Sequence, residues 1–260
     1  MGFNETHPVI NVPETDIILW RYMDVPSFMA LITNNNLTFV RADLFEDRFE
    51  GVLPKKTSQM LDLSAQIQIK EGKLNPSYEN LSSIINSDRT STFMNCWTME
   101  NHEMVHMWKI YSKENGIAIK TTYSKLKQAF ETQETIYPTI INYIDFENDV
   151  VDWQSNMMTA YTLKRNEYKS EKEFRLLLSN PREVEDQFIG KFKGKKPHEI
   201  NFLRRSLYQK YPIINCPIDS NELIQSIQIS PYAPKWYLKL IKDIVKKYNL
   251  KINSIGQSDL

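Results

Sequence analysis

Seven glycines among 260 residues set the tightest limit on what this chain can fold into. Loops that cradle phosphates on backbone N–H groups depend on residues without a Cβ, at fixed offsets, ahead of a helix. Neither G-x-G-x-x-G nor a Walker-type run occurs, which excludes a Rossmann-type dinucleotide site and a P-loop site. A nucleotide would have to be held by side chains.

The chain still has the means to fold. Hydrophobic residues make up 41% and charged residues 25%, the usage of an ordinary globular protein and not of a disordered one. Thirty-two basic against thirty-two acidic side chains leave no net charge, so any nucleic-acid contact has to come from a local patch. Two cysteines, Cys96 and Cys216, are too few for a disulfide scaffold and read as small buried hydrophobes in a reducing compartment. Residues 1–15 are polar, with neither a basic n-region nor an apolar h-region, and no run approaches the roughly 18 apolar residues of a membrane span. A cytoplasmic protein with no membrane partner is expected.

Short strands alternate with irregular helices. Ile17 to Trp20 is an apolar run that delivers Arg21 and Tyr22 at its end. Asp24 and Pro26 then start a helix whose apolar positions are Phe28, Leu31 and Ile32, stopped at residues 34–36 and followed by a strand at Leu37 to Val40. Strands are predicted at Thr92 to Trp97, Gly116 to Lys120, Glu173 to Leu178 and Leu223 to Ile229, with a β-rich stretch at Pro138 to Phe146. Helices are predicted over Met99 to Tyr111, Ser124 to Phe130 and Val151 to Arg165. The clearest helix carries Tyr237, Leu240, Ile241, Ile244, Val245 and Tyr248 as an apolar stripe, with Lys239, Lys246 and Lys247 off it. Without βαβ regularity the pattern favours α+β: one mixed domain over residues 1–260, with a helical insertion at 55–90 and a basic insertion at 181–215.

Three constellations could carry chemistry. His102-Glu103-Met104-Val105-His106 matches the H-E-x-x-H pattern of zinc hydrolases. On a helical wheel, however, His102 and His106 share the polar side with Lys109 and Lys113, which would repel a divalent cation; the plainer reading is a solvated helical face. The stretch from Lys191 to Lys210 holds Lys191, Lys193, Lys195, Lys196, Arg204 and Arg205 interleaved with Phe192, Phe202, Tyr208 and Tyr211, the composition of a nucleic-acid surface. Glu183, Glu185 and Asp186 just upstream would neutralise it within the fold. The last set is dispersed: Trp20-Arg21-Tyr22, Arg41-Ala42-Asp43, Cys96-Trp97 and Glu171-Lys172-Glu173-Phe174-Arg175. Alternation along a strand puts Glu171, Glu173 and Arg175 on one side and Phe174 and Leu176 on the other. Either an ion-pair ladder or a site explains three charges in a row.

Taken with Asp43-Leu44-Phe45-Glu46-Asp47-Arg48-Phe49-Glu50-Gly51, Met107-Trp108-Lys109-Ile110-Tyr111-Ser112 and Gly116-Ile117-Ala118-Ile119-Lys120, these segments resemble the bacterial family catalogued as domain of unknown function 2971. The resemblance spans nearly the whole chain. At a second level, a first strand ending in a basic residue and an aromatic, with a late Glu-x-Glu strand, is similar in layout to ADP-ribosyltransferase folds. That resemblance implies NAD as substrate, no metal, and a nucleic-acid or protein acceptor, in the setting of a toxin or anti-phage effector. It assigns Glu173 to the oxocarbenium-like transition state and Glu171 to the acceptor. Arg21 goes to a ribose or phosphate, and Tyr22, Arg41, Trp97 and Tyr111 to the nucleotide. No Ser-Thr-Ser triplet is present. Asp43, Asp47 and Glu50 have no place in the transferase scheme and would equally suit a metal-dependent nuclease. A binding module without catalysis, its charged sheet residues merely paired, is the remaining alternative.

Overall fold

Asp24 closes the first strand and opens the first helix. Its carboxylate accepts the Ser27 N–H at 2.9 Å, Pro26 occupies the first turn, and Phe28, Leu31 and Ile32 turn inward. Asn35, left-handed at φ 48°, donates its N–H to Leu31 and ends the helix. This and the rest of the fold come from a computed structural model that describes residues 2–111, 114–153, 156–188, 190–191, 194 and 197–260.

The strands are β1 (Ile18–Asp24), β2 (Asn36–Arg41), β3 (Thr92–Met99), β4 (Gly116–Thr122), β5 (Tyr137–Ile140), β6 (Asn142–Ile144), β7 (Leu163–Arg165), β8 (Glu173–Ser179), β9 (Ile213–Pro217), β10 (Ser226–Ile229) and β11 (Ser254–Gln257). The helices are α1 (Val25–Asn34), α2 (Lys55–Lys70), α3 (Leu81–Asn86), α4 (Val105–Tyr111), α5 (Tyr123–Ala129), α6 (Arg182–Glu185), α7 (Pro197–Tyr208), α8 (Ser220–Leu223) and α9 (Lys235–Lys247). Together they form one α+β domain on a mixed sheet, in which β10 and β11 run parallel and the other main-sheet pairs antiparallel.

The sheet forks. Along one edge β3 pairs with β8 over its whole length, from Thr92↔Ser179 to Thr98↔Glu173. On its other edge it meets two strands at opposite ends, β1 through Leu19↔Met99 and Trp20↔Thr98, and β2 through Val40↔Met94 and Arg41↔Phe93. Between them lie Asn95, Cys96 and Trp97. Asn95 bridges the gap, donating from Nδ2 to the Thr38 carbonyl at 2.7 Å and accepting the Trp97 indole N–H on Oδ1 at 2.7 Å.

Period-two alternation decides which side chains reach each face. Leu19, Met23, Ile117, Ile119, Phe174, Leu176 and Leu178 enter the main core, covered by α1, α5 and α9. Trp20, Tyr22 and Ala118 face the other way and pack on Met107 and Trp108. The 181–215 stretch contributes Val184, Phe188 and Tyr208 to the main core, and α2 and α3 pack on a small cluster around Leu53, Ile85 and Ala160.

Three sequence expectations are corrected. The helix expected from Met99 begins only at Val105, because the Met104 N–H is taken by the Tyr22 hydroxyl at 2.9 Å and the Asn101 N–H by Glu100. The described part of 151–165 forms no α-helix: Asn156 caps a 3-10 run at Met157–Thr162, Thr162 bonds back to the Thr159 carbonyl, and β7 then pairs with β6. Leu223 closes α8 instead of starting a strand.

Gly51 fixes the turn that follows Asp47. Its φ is +70°, and a Cβ there would lie 2.5 Å from Tyr161 Cε1, in a ring that is itself buried. Gly51→Ala therefore combines a left-handed penalty with overpacking, and we expect a loss of about 2–4 kcal/mol, read as a lowered urea midpoint at unchanged m.

Candidate active site

A cavity of about 400 Å³ opens where β1 and β2 part on β3. Arg21 comes from β1, Cys96, Trp97 and Thr98 from β3, Glu173 from the start of β8, and Lys164 from β7. The loop after β2 adds Phe45, Asp47 and Glu50, and Tyr111 enters from the end of α4. Arg21, Trp97 and Glu173, far apart in sequence, thus line one cleft.

Arg21 leaves the sheet at the fork, its guanidinium carbon 5.8 Å from the centroid of the Trp97 ring. The residue is partly exposed, but Nη1 is enclosed and has no hydrogen-bond partner among the described residues. Burial pulls its pKa down to about 10, with a small opposing effect from Cys96. Lys164 is the other lining cation, and three carboxylates surround it. Among the described lining residues Arg21 is therefore the cation with capacity left for an anion.

The carboxylate end is a buried network. Lys164 Nζ lies 2.6 Å from Glu171 Oε2, 2.8 Å from Glu173 Oε2 and 3.5 Å from Glu50 Oε1. Arg175, fully buried, donates from Nε to Glu173 Oε1 at 2.5 Å and from Nη1 to the Tyr161 carbonyl at 3.0 Å. Its Nη2 is 2.7 Å from Glu50 Oε2, close enough for an ion pair but out of line for a hydrogen bond. Burial opposes the charge on Glu173, yet Arg175 and Lys164 outweigh it and hold that carboxyl down to about 2. Glu50 moves the other way: its own burial, helped by Glu173, raises it despite Arg175. Lys164 is raised, the neighbouring carboxylates overcoming its desolvation. Cys96 is pushed well up, first by burial and then by Glu173, which favours its thiol form.

Lys172, between the two glutamates, adopts the left-handed conformation at φ 45°. Its carbonyl accepts the Met99 N–H at 2.8 Å and its ammonium pairs with Glu100. That kink lets Glu171, which precedes the strand, and Glu173, which starts it, turn to the same ammonium. Tyr111 donates its hydroxyl to Glu171 Oε1 at 3.3 Å while its ring stays 47% exposed at the cavity mouth. Tyr22 also lines the cavity, but its hydroxyl is occupied by Met104 and its ring stands edge-on to Trp108 at 5.0 Å.

Other expected site residues fall elsewhere. Arg41 does not line the cavity: it is buried, bonded to Asp43 at 2.6 Å and to the Tyr208 carbonyl at 2.7 Å, because the neighbouring acid and the end of α7 reach it first. Asp43, Asp47 and Glu50 are each taken up by a cation: Asp43 pairs with Arg41, Asp47 with Arg165 at 3.0 Å, and Glu50 with Arg175, which it shares with Glu173. In the basic tract, Lys193, Lys195 and Lys196 lie outside the described residues, Lys191 is exposed, Arg204 pairs with Glu185 at 2.9 Å, and Arg205 sits on the exposed side of α7. No group of three His, Cys, Asp or Glu among the described residues is placed to hold a metal ion.

The H-E-x-x-H run is not on one helical face either. His102 precedes α4, the Glu103 carboxylate accepts the Trp108 indole N–H at 3.1 Å, and His106 Nε2 is 3.1 Å from the Ser170 carbonyl. We expect His102→Ala to leave stability within about 0.5 kcal/mol and added zinc to leave the melting temperature where it is; a zinc-dependent rise lost in that variant would restore the metal reading.

Compared with family models, curated proteins and solved structures, the chain matches none. Its chemistry has to be read from the cavity itself. No helix among the described residues is long and apolar enough to cross a membrane.

Lys164 is the residue that sequence reading missed. It lies in the stretch expected to be helical, and a lysine gives no sign in sequence of being buried among acids. The signal available was indirect: three carboxylates and a single arginine around Glu173 leave an excess of negative charge that a folded interior has to balance.

Proposed function

We propose that the chain is an ADP-ribosyltransferase-like enzyme that binds NAD in the forked cleft and transfers ADP-ribose to a macromolecule, or hydrolyses NAD. Membership of the domain of unknown function 2971 family, on the segments around Arg21, Asp47 and Glu173, belongs to the same proposal, as does a toxin or anti-phage role. The observation that carries it is the convergence of Arg21, Trp97 and Glu173 on one cavity.

The chemistry follows from the two ends of the cleft. Arg21, whose guanidinium lines the cavity without an ion pair among the described residues, takes a phosphate or ribose oxygen of NAD by charge-assisted hydrogen bonds. The exposed Tyr111 at the cavity mouth provides a flat surface for a base, while Trp97, buried, packs behind the Arg21 guanidinium. As the C–N glycosidic bond breaks, its electron pair leaves with nicotinamide and positive charge develops on the ribose. Glu173, held ionised by Arg175 and Lys164, is a preorganised anion for that charge. Glu171 orients the acceptor hydroxyl or water and takes its proton as the new C–O bond forms. Lys164 touches both carboxylates and fixes their separation, which makes it a positioning residue.

Proton NMR of NAD mixed with the protein tests this directly. Wild type is expected to broaden the NAD resonances and release free nicotinamide, and Arg21→Gln to do neither. An intact wild-type fold that leaves NAD neither broadened nor cleaved overturns the reading.

A further inference from the structure

The sheet face opposite the cleft is covered by a helix whose outer side is basic. Helix α9 covers the main core with Tyr237, Ile241 and Val245, all buried. At 3.6 residues per turn, Lys235, Lys239, Lys242 and Lys246 fall on one line along its outer side, a row about 16 Å long. All four are exposed, and none takes part in an ion pair among the described residues. Beside the row Trp236 is 62% exposed, with Leu240 at 41% one turn on. A chain without net charge has gathered four cations, with Asp243 as the one acid beside them, and its most exposed tryptophan on the outer side of α9.

We infer that this face binds a single-stranded nucleic acid, the lysine row tracking the phosphates and Trp236 stacking on a base. Charge complementarity selects a polyanion, and the exposed indole selects one whose bases are free to stack. A lipid surface suits it less well: the apolar side of α9 is already spent on the core, leaving Trp236 and Leu240 alone for a bilayer. The inference stands apart from the NAD reading, since no residue of the row lines the cavity.

The test is fluorescence anisotropy with labelled 20-nucleotide oligothymidylate, oligouridylate and a duplex of equal length, from 50 to 200 mM salt. Four phosphate contacts predict about a 50-fold loss of single-strand affinity over that range. Lys239→Gln/Lys242→Gln/Lys246→Gln should bind at least about ten-fold more weakly and lose most of the salt dependence. Trp236→Ala should weaken binding about ten-fold while keeping that dependence. Arg21→Gln should bind as wild type does, which separates this surface from the cleft. Absence of binding at 50 mM salt, a salt dependence unchanged in the triple variant, preference for the duplex, or capture by phosphatidylserine vesicles in place of the oligonucleotides would each overturn the inference.

Discussion

Arg21→Gln should abolish NAD binding and leave the protein as stable as before. An ordinary buried arginine cannot be removed so cheaply, because its partners are left stranded. Among the described residues the guanidinium has no carboxylate partner and its enclosed Nη1 no hydrogen bond, and its pKa is pulled down by burial. Its charge is a burden on the folded state, offset in part by the Trp97 ring at 5.8 Å. Replacing it should shift stability by no more than about 1 kcal/mol in the unfavourable direction and is as apt to raise it. Affinity for an anionic ligand should fall by about 100-fold or more, the loss of a charge-assisted pair in a partly desolvated site. Thermal melts and NAD titrations on one preparation give both numbers. A large fall in melting temperature would mean that Arg21 is a structural residue.

Glu173→Gln should behave in the opposite way. Its charge is what Lys164 and Arg175 are folded around, and removing it leaves two buried cations with fewer acids. A cost of about 3–5 kcal/mol is expected. Glu50→Gln is the matched control: it touches the same two cations, but its pKa is raised, so the fold disfavours its charge and the neutral isostere should cost about 1 kcal/mol or less. The pH dependence carries the same signs. A carboxyl lowered in the folded state contributes stability above its unfolded pKa and loses it as pH falls through the folded value. Glu173 therefore withdraws its contribution between about pH 4.5 and about 2, and the milder lowering of Glu5, Asp16, Glu100 and Asp145 acts in the same direction. Glu50, raised, acts in the opposite direction, its protonated form being the one the fold favours. Urea titrations across this range, in wild type and Glu173→Gln, should show the wild-type slope flattened in the variant. An equal slope would place the acid sensitivity elsewhere.

Local rules carried far in this chain wherever a side chain's role was set by its neighbours in sequence. Asp24 as a cap, Phe28, Leu31 and Ile32 as one helical face, and Phe174, Leu176 and Leu178 opposite Glu173 and Arg175 all follow from periodicity and capping. The same rules misjudged residues whose fate was settled at a distance. Arg41 was captured by Asp43 and a helix-end carbonyl, and Tyr22 took the Met104 N–H and shortened a helix. Lys164 acquired its meaning only when β7 came beside Glu171 and Glu173. Arg21, Tyr22, Trp97, Tyr111, Glu171 and Glu173 of the cavity lining were legible in the sequence; Lys164, and an open cation facing a saturated acid cluster, were not.

The fork also bears on the order in which the molecule can assemble. Strand β3 has to find β8, some eighty positions further along, and both β1 and β2 on its other edge, before the cleft exists. Closing such loops precedes the reward for closing them, so refolding should be slow for a domain of this size. The amides of β3 should be the last in the protein to exchange with deuterium, and the acid cluster should gather its charges only in the final stage of folding.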